Sequence, residues 1–236
     1  EGVTKDYIKA KDWYEKAADQ GNVDAQYSLG VMYYKGEGVT KDYIKAKDWY
    51  EKAADQGNVD AQYSLGVMYY KGEGVTKDYI KAKDWYEKAA DQGNVDAQYS
   101  LGVMYYKGEG VTKDYIKAKD WYEKAAYKGN VDAQYTLGVM YYKGEGVTKD
   151  YIKAKELWEK AAAQGNVVAQ MNLGMLYFNG YGVTKDYIKA KELWEKAADQ
   201  GNVDAQMNLG ILYFNGYGVT IDYIKAKDWY EKAAAQ

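Results

Sequence analysis

Between residues 5 and 19 the chain reads KDYIKAKDWYEKAAD, and its apolar positions recur with the spacing of a helix. At about 100° per residue, Tyr7, Ala10, Trp13, Tyr14, Ala17 and Ala18 fall on one arc, while Lys9, Lys11, Asp12, Glu15, Lys16 and Asp19 fill the other. Ile8 is the one apolar residue on the polar side. The pattern predicts a surface helix, B, from about Lys5 to Asp19. Thr4 is its expected N-cap, Asp6 stands near its positive end and Gly21 is its stop.

A second helix, A, is predicted from Val23 to Lys35, VDAQYSLGVMYYK, capped by Asn22 and ended by Gly36 and Gly38. It is apolar on two sides. Ala25, Leu29, Met32 and Tyr33 form one arc, and Tyr27, Val31 and Tyr34 lie opposite with Asp24 and Lys35. Gly30 sits in the middle, where glycine costs about 0.8–1 kcal/mol relative to alanine. A cost kept at Gly66, Gly102, Gly138, Gly174 and Gly210 as well implies a packing return, namely close approach of an Ala-rich helix B with aromatic rings filling the space beside it.

The pattern then repeats with a period of 36. Residues 1–36, 37–72 and 73–108 are identical, and 109–144 differs only at Tyr127, Lys128 and Thr136. Units 145–180 and 181–216 diverge further, and 217–236 is a partial unit. The chain therefore reads as one array over 1–236: a half repeat at 1–20, then six A–B hairpins. The class is all-α, a solenoid of thirteen helices. Near-identity of this kind fits recent duplication and deliberate consensus design equally.

Composition narrows the function. The formal net charge is −3, and the sequence holds no Cys, His, Pro or Arg. Lysines interleave with Asp and Glu, so no basic patch of the kind that displaces counterions from phosphates is expected, and nucleic acid is not a predicted partner. Without His and Cys the usual general base and thiol nucleophile are missing, and no catalytic residue, metal site or cofactor is expected. GEGV lacks the strand and the spacing of a dinucleotide loop, and DQGNVD at 19–24 lacks the glycine position and closing Glu of a calcium loop. No apolar run reaches the roughly 20 residues of a membrane span, so no membrane partner is predicted. Glu1 falls inside a repeat, which reads as an excised piece and leaves localisation open.

The pattern resembles the Sel1-like repeat, a relative of the tetratricopeptide repeat. The resemblance rests on Ala25, Leu29, Gly30, Tyr33, Gly36, Gly38, Val39 and Asp42, followed by Lys45, Ala46, Trp49, Tyr50, Lys52, Ala53, Ala54 and Gly57. It recurs through the whole chain. Leu157-Trp158 and Leu193-Trp194 depart from the aromatic pair, and the disulfides of the cysteine-rich bacterial branch have no counterpart. The resemblance implies a right-handed superhelix with helix A lining the concave side, and a non-enzymatic adaptor that binds proteins or peptides.

The candidate peptide-binding face is then the second apolar arc of helix A: Tyr27, Tyr34 and Lys35, repeated as Tyr63, Tyr70 and Lys71, as Tyr99, Tyr106 and Lys107, and as Tyr135, Tyr142 and Lys143. In the last units these become Met171 and Phe178, then Met207 and Phe214, with Asn179 and Asn215 replacing the lysines. The face is expected to be polar-aromatic at one end and greasier at the other, and to hold an extended segment with acidic groups near the lysines. Packing of neighbouring helices A could instead consume it. Trp229 and Tyr230 keep an apolar arc on the last helix, and the first helix is an internal one without its partner, so end-to-end self-association is expected. The competing reading is a consensus-like solenoid with no ligand of its own.

Overall fold

The computed structural model describes residues 6–235. Among the described residues the regular structure is entirely helical: α1 (Tyr7–Asp19), α2 (Val23–Lys35), α3 (Tyr43–Asp55), α4 (Val59–Lys71), α5 (Tyr79–Asp91), α6 (Val95–Lys107), α7 (Tyr115–Tyr127), α8 (Val131–Lys143), α9 (Tyr151–Ala163), α10 (Val167–Asn179), α11 (Tyr187–Asp199), α12 (Val203–Asn215) and α13 (Tyr223–Ala234). Odd-numbered helices are type B and even-numbered ones type A. None is long and apolar enough to cross a membrane.

The chain divides between Trp121 and Tyr122 into two compact units. In unit 1 each helix from α1 to α6 packs on the next, and α2 also touches α4. In unit 2 the same succession runs from α8 to α13.

Helix A begins and ends where the sequence predicts. Asn22 accepts from the Ala25 N–H at 2.8 Å, and Gly36 closes α2 in the left-handed region at φ 79°. Helix B begins two residues later than expected. The predicted cap Thr4 lies outside the described residues, but in α3 the cap is Asp42, whose carboxylate accepts from Ile44 N and Lys45 N, both at 3.0 Å. A charged acceptor outcompetes a hydroxyl there because it also meets the positive end of the helix. Asp42 is itself held by its N–H, which donates to Tyr33 O at 2.9 Å and shuts the turn between A and B. Within that turn Gly38 combines φ 73° with a close approach: a Cβ there would stand 2.6 Å from Tyr7 Cβ. No other residue fits.

The core of unit 1 runs through Tyr33, Ala46, Tyr50, Ala53, Ala61, Leu65 and Met68; its counterpart in unit 2 runs through Tyr177, Ala190, Trp194, Ala197, Ala205, Leu209 and Leu212. One polar residue per repeat is buried with them. The Gln26 amide donates to Ala18 O at 3.3 Å and its oxygen accepts from Gln56 at 2.7 Å, linking three successive helices. Gln62 with Gln92, Gln134 with Gln164 and Gln170 with Gln200 repeat the link. A buried amide needs both halves satisfied, so each link fixes the register of the next hairpin.

Candidate functional site

The mid-helix glycine shapes the helix A face. A Cβ on Gly30 would lie 2.5 Å from Tyr50 Cε1, so the ring of the following helix B rests directly on the α2 backbone. The close approach is as expected, but an aromatic ring makes it in place of small alanines. In unit 2 the ring is an indole over two of the three glycines, Trp158 covering Gly138 and Trp194 covering Gly174, while Tyr230 covers Gly210. The indole Nε1–H groups donate to Tyr135 O at 3.0 Å and Met171 O at 3.1 Å, a contact a phenol carbon cannot make.

These rings form the floor on which the predicted residues stand. In unit 1, Tyr27, Val31, Tyr34 and Lys35 of α2 and Tyr63, Ser64 and Val67 of α4 line a concavity of about 310 Å³ over Tyr50. Tyr27 lies 5.7 Å from Tyr50, and Tyr34 meets Tyr43 edge-on at 5.2 Å. Packing therefore takes part of each ring and leaves the rest in the groove. The hydroxyls are spoken for as well. Tyr34 donates to the Glu73 carboxylate and Tyr70 to Glu109, each reaching the G-E-G turn 39 residues ahead. Burial pushes the Tyr27 and Tyr63 phenols above the ordinary 10.0, and Asp60 and Asp96 on the next helix A push the same way. Lys35, Lys71 and Lys107 are exposed at the helix ends, and Asp24, Asp60 and Asp96 are exposed at the starts.

In unit 2 the concavity grows to about 520 Å³. Tyr135, Tyr142 and Lys143 of α8, Met171 and Met175 of α10, and Asp204 and Met207 of α12 surround it over Trp158. Asn172 and Asn208 complete the wall. Lys143 lies 3.8 Å from Glu145. Asn179 and Asn215 turn back on their own helices, donating to Met175 O and Ile211 O at 2.9 Å, so this stretch has no outward cation at those positions.

Of the predicted residues, Tyr27, Tyr34, Lys35 and Tyr63 thus share one concavity, and Tyr135, Tyr142, Lys143, Met171 and Met207 share another. Tyr70, Tyr99 and Tyr106 are half-buried, and Lys71 and Lys107 are exposed, outside those two. Phe178 is drawn into packing against Trp194 at 5.3 Å and Tyr217 at 5.3 Å. Phe214 is 51% exposed and lines a separate apolar surface with Tyr223 and Tyr230. Sequence reasoning missed Trp158 as floor, Met175 and the two asparagines as wall, and Glu73 as acceptor. The sequence carries no clean signal for Glu73, since its position becomes Tyr181 and Tyr217 whether the residue 39 earlier is Tyr142 or Phe178.

The Sel1 repeat profile matches residues 1–22, 23–58, 59–94, 95–130, 131–166, 167–202 and 203–236. No curated protein sequence matches the chain. Among solved structures, the chain is similar to a protective antigen present in uropathogenic Escherichia coli strains that displays an SLR fold. Identity is 42% and the TM-score 0.96 over 100% of this chain, which spans 50% of that one. A Sel1 repeat protein from Oxalobacter formigenes is 38% identical with a TM-score of 0.85, over 97% of this chain and 94% of that one. An immunity protein from Pseudomonas aeruginosa is 26% identical with a TM-score of 0.51, over 90% and 81%. With the profile covering all seven repeats and both hairpin geometry and glycine-borne rings in place, the chain belongs to the Sel1 repeat family.

Proposed function

We propose that this chain is a non-enzymatic scaffold that holds a segment of another protein along its helix A face. Sel1 repeat proteins are generally protein-interaction scaffolds. The observation that carries the reading here is the unit 2 trough. Three successive helices A bring Tyr135, Met171, Met175 and Met207 around about 520 Å³ over a tryptophan, with Lys143 and Asp204 also lining it. Flexible thioethers over an aromatic floor accommodate apolar side chains of varied shape, and the flanking charges orient what enters. Met207 is 42% exposed although it lines this wall.

Peptides selected from a random library on the intact protein test the reading. Met207→Asp is expected to weaken the selected peptides about tenfold or more, since it puts a charge where an apolar side chain docks. Ile188→Ser, on the exposed side of α11, is the control expected to change nothing. Equal affinity for wild type and Met207→Asp, or a library that yields no ligand, would refute it.

A further inference from the structure

We infer that Met171, Met175 and Met207 form a modification site for peroxides, and that their sulfoxides close the unit 2 trough to its ligand. This rests on that trough being a binding site, and adds a means of regulating it.

The argument begins with where the methionines lie. Met32, Met68, Met104 and Met140 occupy the tenth position of α2, α4, α6 and α8, and none is more than 5% exposed. In α10 and α12 that core position is Leu176 and Leu212. The thioethers have moved to the groove. Met171 and Met207 stand at the fifth position, where unit 1 has Tyr27, Tyr63 and Tyr99, and Met175 at the ninth, where it has Val31, Val67 and Val103. All three line the trough, Met171 and Met175 half-buried and Met207 42% exposed. A small oxidant therefore meets three thioethers at the surface, and the other four only when the core opens.

The reaction needs nothing from the protein beyond access. The thioether sulfur attacks one peroxide oxygen, and an S–O bond forms as the O–O bond breaks. Sulfur loses two electrons, and the departing hydroxide takes the proton of the transferred oxygen and leaves as water. The product is a polar sulfoxide where the trough had an apolar side chain. An apolar group of the ligand would then have to strip water from the S–O dipole, which is unfavourable without a hydrogen bond in return. The protein holds the donor for that bond. Asn208 of α12 turns its amide on the Met175 sulfur of α10 at 3.6 Å. A thioether sulfur is a weak acceptor, and an oxygen on that sulfur gives the same amide a stronger one. Oxidation thus strengthens a link in the trough wall while removing the apolar surface that a ligand uses. Unit 1 has no counterpart. Ser28 and Ser64 stand where Asn172 and Asn208 do, and their hydroxyls donate to Asp24 O and Asp60 O of their own helices at 2.7 Å.

Dilute hydrogen peroxide on the intact protein, removed with catalase before any ligand is added, tests this. Mass mapping of proteolytic peptides is expected to find the added oxygen first at Met207, then at Met171 and Met175. Met32, Met68, Met104 and Met140 are expected to react at least about tenfold more slowly. Peptides selected on the untreated protein are expected to bind the oxidised trough about tenfold more weakly. Methionine sulfoxide reductases for both epimers are expected to restore the affinity. Met171→Leu with Met175→Leu and Met207→Leu is expected to keep, after peroxide, whatever affinity it had before. Should that variant bind too weakly to read, reversal by the reductases decides. Equal oxidation of the four buried methionines, or a loss that the reductases do not reverse, overturns the inference, as does a triple variant that still loses affinity in peroxide. If ligands bind and are lost in Met207→Asp yet ignore peroxide, the inference falls and the scaffold reading stands. If the library yields no ligand, both fall.

Discussion

Units 1 and 2 set different side chains on one backbone plan. In unit 1 a phenol lies over the glycine of helix A, and the groove tyrosine reaches a carboxylate 39 residues ahead. In unit 2 an indole lies over Gly138 and Gly174 and donates to the backbone beside each, while the Tyr230 phenol lies over Gly210. Where Phe178 has no hydroxyl to donate, the matching carboxylate is gone and Tyr217 meets the ring edge-on at 5.3 Å. At this position the next repeat is met by a hydrogen bond from Tyr34 and Tyr70 and by a ring contact from Phe178. The face left over differs accordingly. It is narrower and rimmed by charge in unit 1, and wider and lined by thioethers in unit 2.

The largest expected consequence is in alkali. Burial raises the phenols of Tyr27, Tyr34, Tyr50, Tyr63, Tyr70 and Tyr86 above 10.0, the carboxylate of Glu73 or Glu109 adding at Tyr34 and Tyr70. A phenol whose folded pKa is raised stays protonated while its unfolded counterpart ionises. The unfolded state then holds fewer protons, so stability is intact below pH 10 and falls as pH rises toward the folded values. The urea midpoint of the protein is expected to drop as pH rises above about 10. Replacing Tyr50 and Tyr86 by Trp, which gives unit 1 the floor of unit 2, is expected to flatten that drop. An unchanged slope would mean these phenols are not the groups responsible.

That pairing of ring and glycine also marks how far the sequence alone reaches. Helix A was legible to the residue, because Asn22 and Gly36 are unambiguous end signals and Val23–Lys35 between them has no competing start. Helix B was displaced by two residues because Thr and Asp both cap well and stand two apart; only the extended backbone of Asp42, φ −148° and ψ 101°, decides between them. The face carrying Tyr27 and Tyr34 was legible from the wheel, but not its depth. Part of each ring packs against Tyr50 and Tyr43, residues of the next helix whose reach no single-helix pattern contains. The Gln26–Gln56 link and the Tyr34–Glu73 bond span 30 and 39 residues. Both join positions in different repeats, and identical repeats conceal which copy a side chain addresses.

Adding a methyl group to the glycine comes next in size. In Gly66→Ala the Cβ would stand 2.5 Å from Tyr86 Cδ1 and Cε1, a ring held by Tyr63 and Tyr70 and unable to step aside. Overpacking of this kind costs about 1–3 kcal/mol, against about 1 kcal/mol returned by better helix propensity. Gly174→Ala strikes Trp194 at Nε1 and Cδ1 and also strains its bond to Met171 O, adding about 1 kcal/mol. Urea unfolding is expected to rank Gly174→Ala below Gly66→Ala, and both below wild type. A stabilised Gly66→Ala would show that the ring yields.

The link between repeats can be exchanged from one unit to the other. Tyr70→Phe removes the donor to Glu109 and is expected to cost about 1 kcal/mol. Combining it with Glu109→Tyr rebuilds the Phe178–Tyr217 pair inside unit 1, and an edge-on ring contact contributes about 0.5–1.5 kcal/mol. The double variant is therefore expected to be nearer wild type than the sum of the two singles. Strict additivity would separate the two positions energetically.

The smallest effect should be blind to the comparison. Lys47 and Glu51 of α3, and Lys191 and Glu195 of α11, form the same i,i+4 pair at 2.9 Å on the outer face of helix B. Both carboxylates are about as exposed as each other, at 38% and 37%, so solvent screens the two pairs alike. Glu51→Gln and Glu195→Gln are each expected to cost about 0.2–0.5 kcal/mol, and by the same amount within error. The equality is the informative part. Helix B keeps this pair in both units although Trp49 beside it in α3 becomes Leu193 in α11, so equality would show the pair to be indifferent to the rings beneath the groove. If one variant lost several times more than the other, the two units would differ on their outer surfaces too, and stability differences seen at Gly66 and Gly174 could no longer be assigned to the floor of the groove.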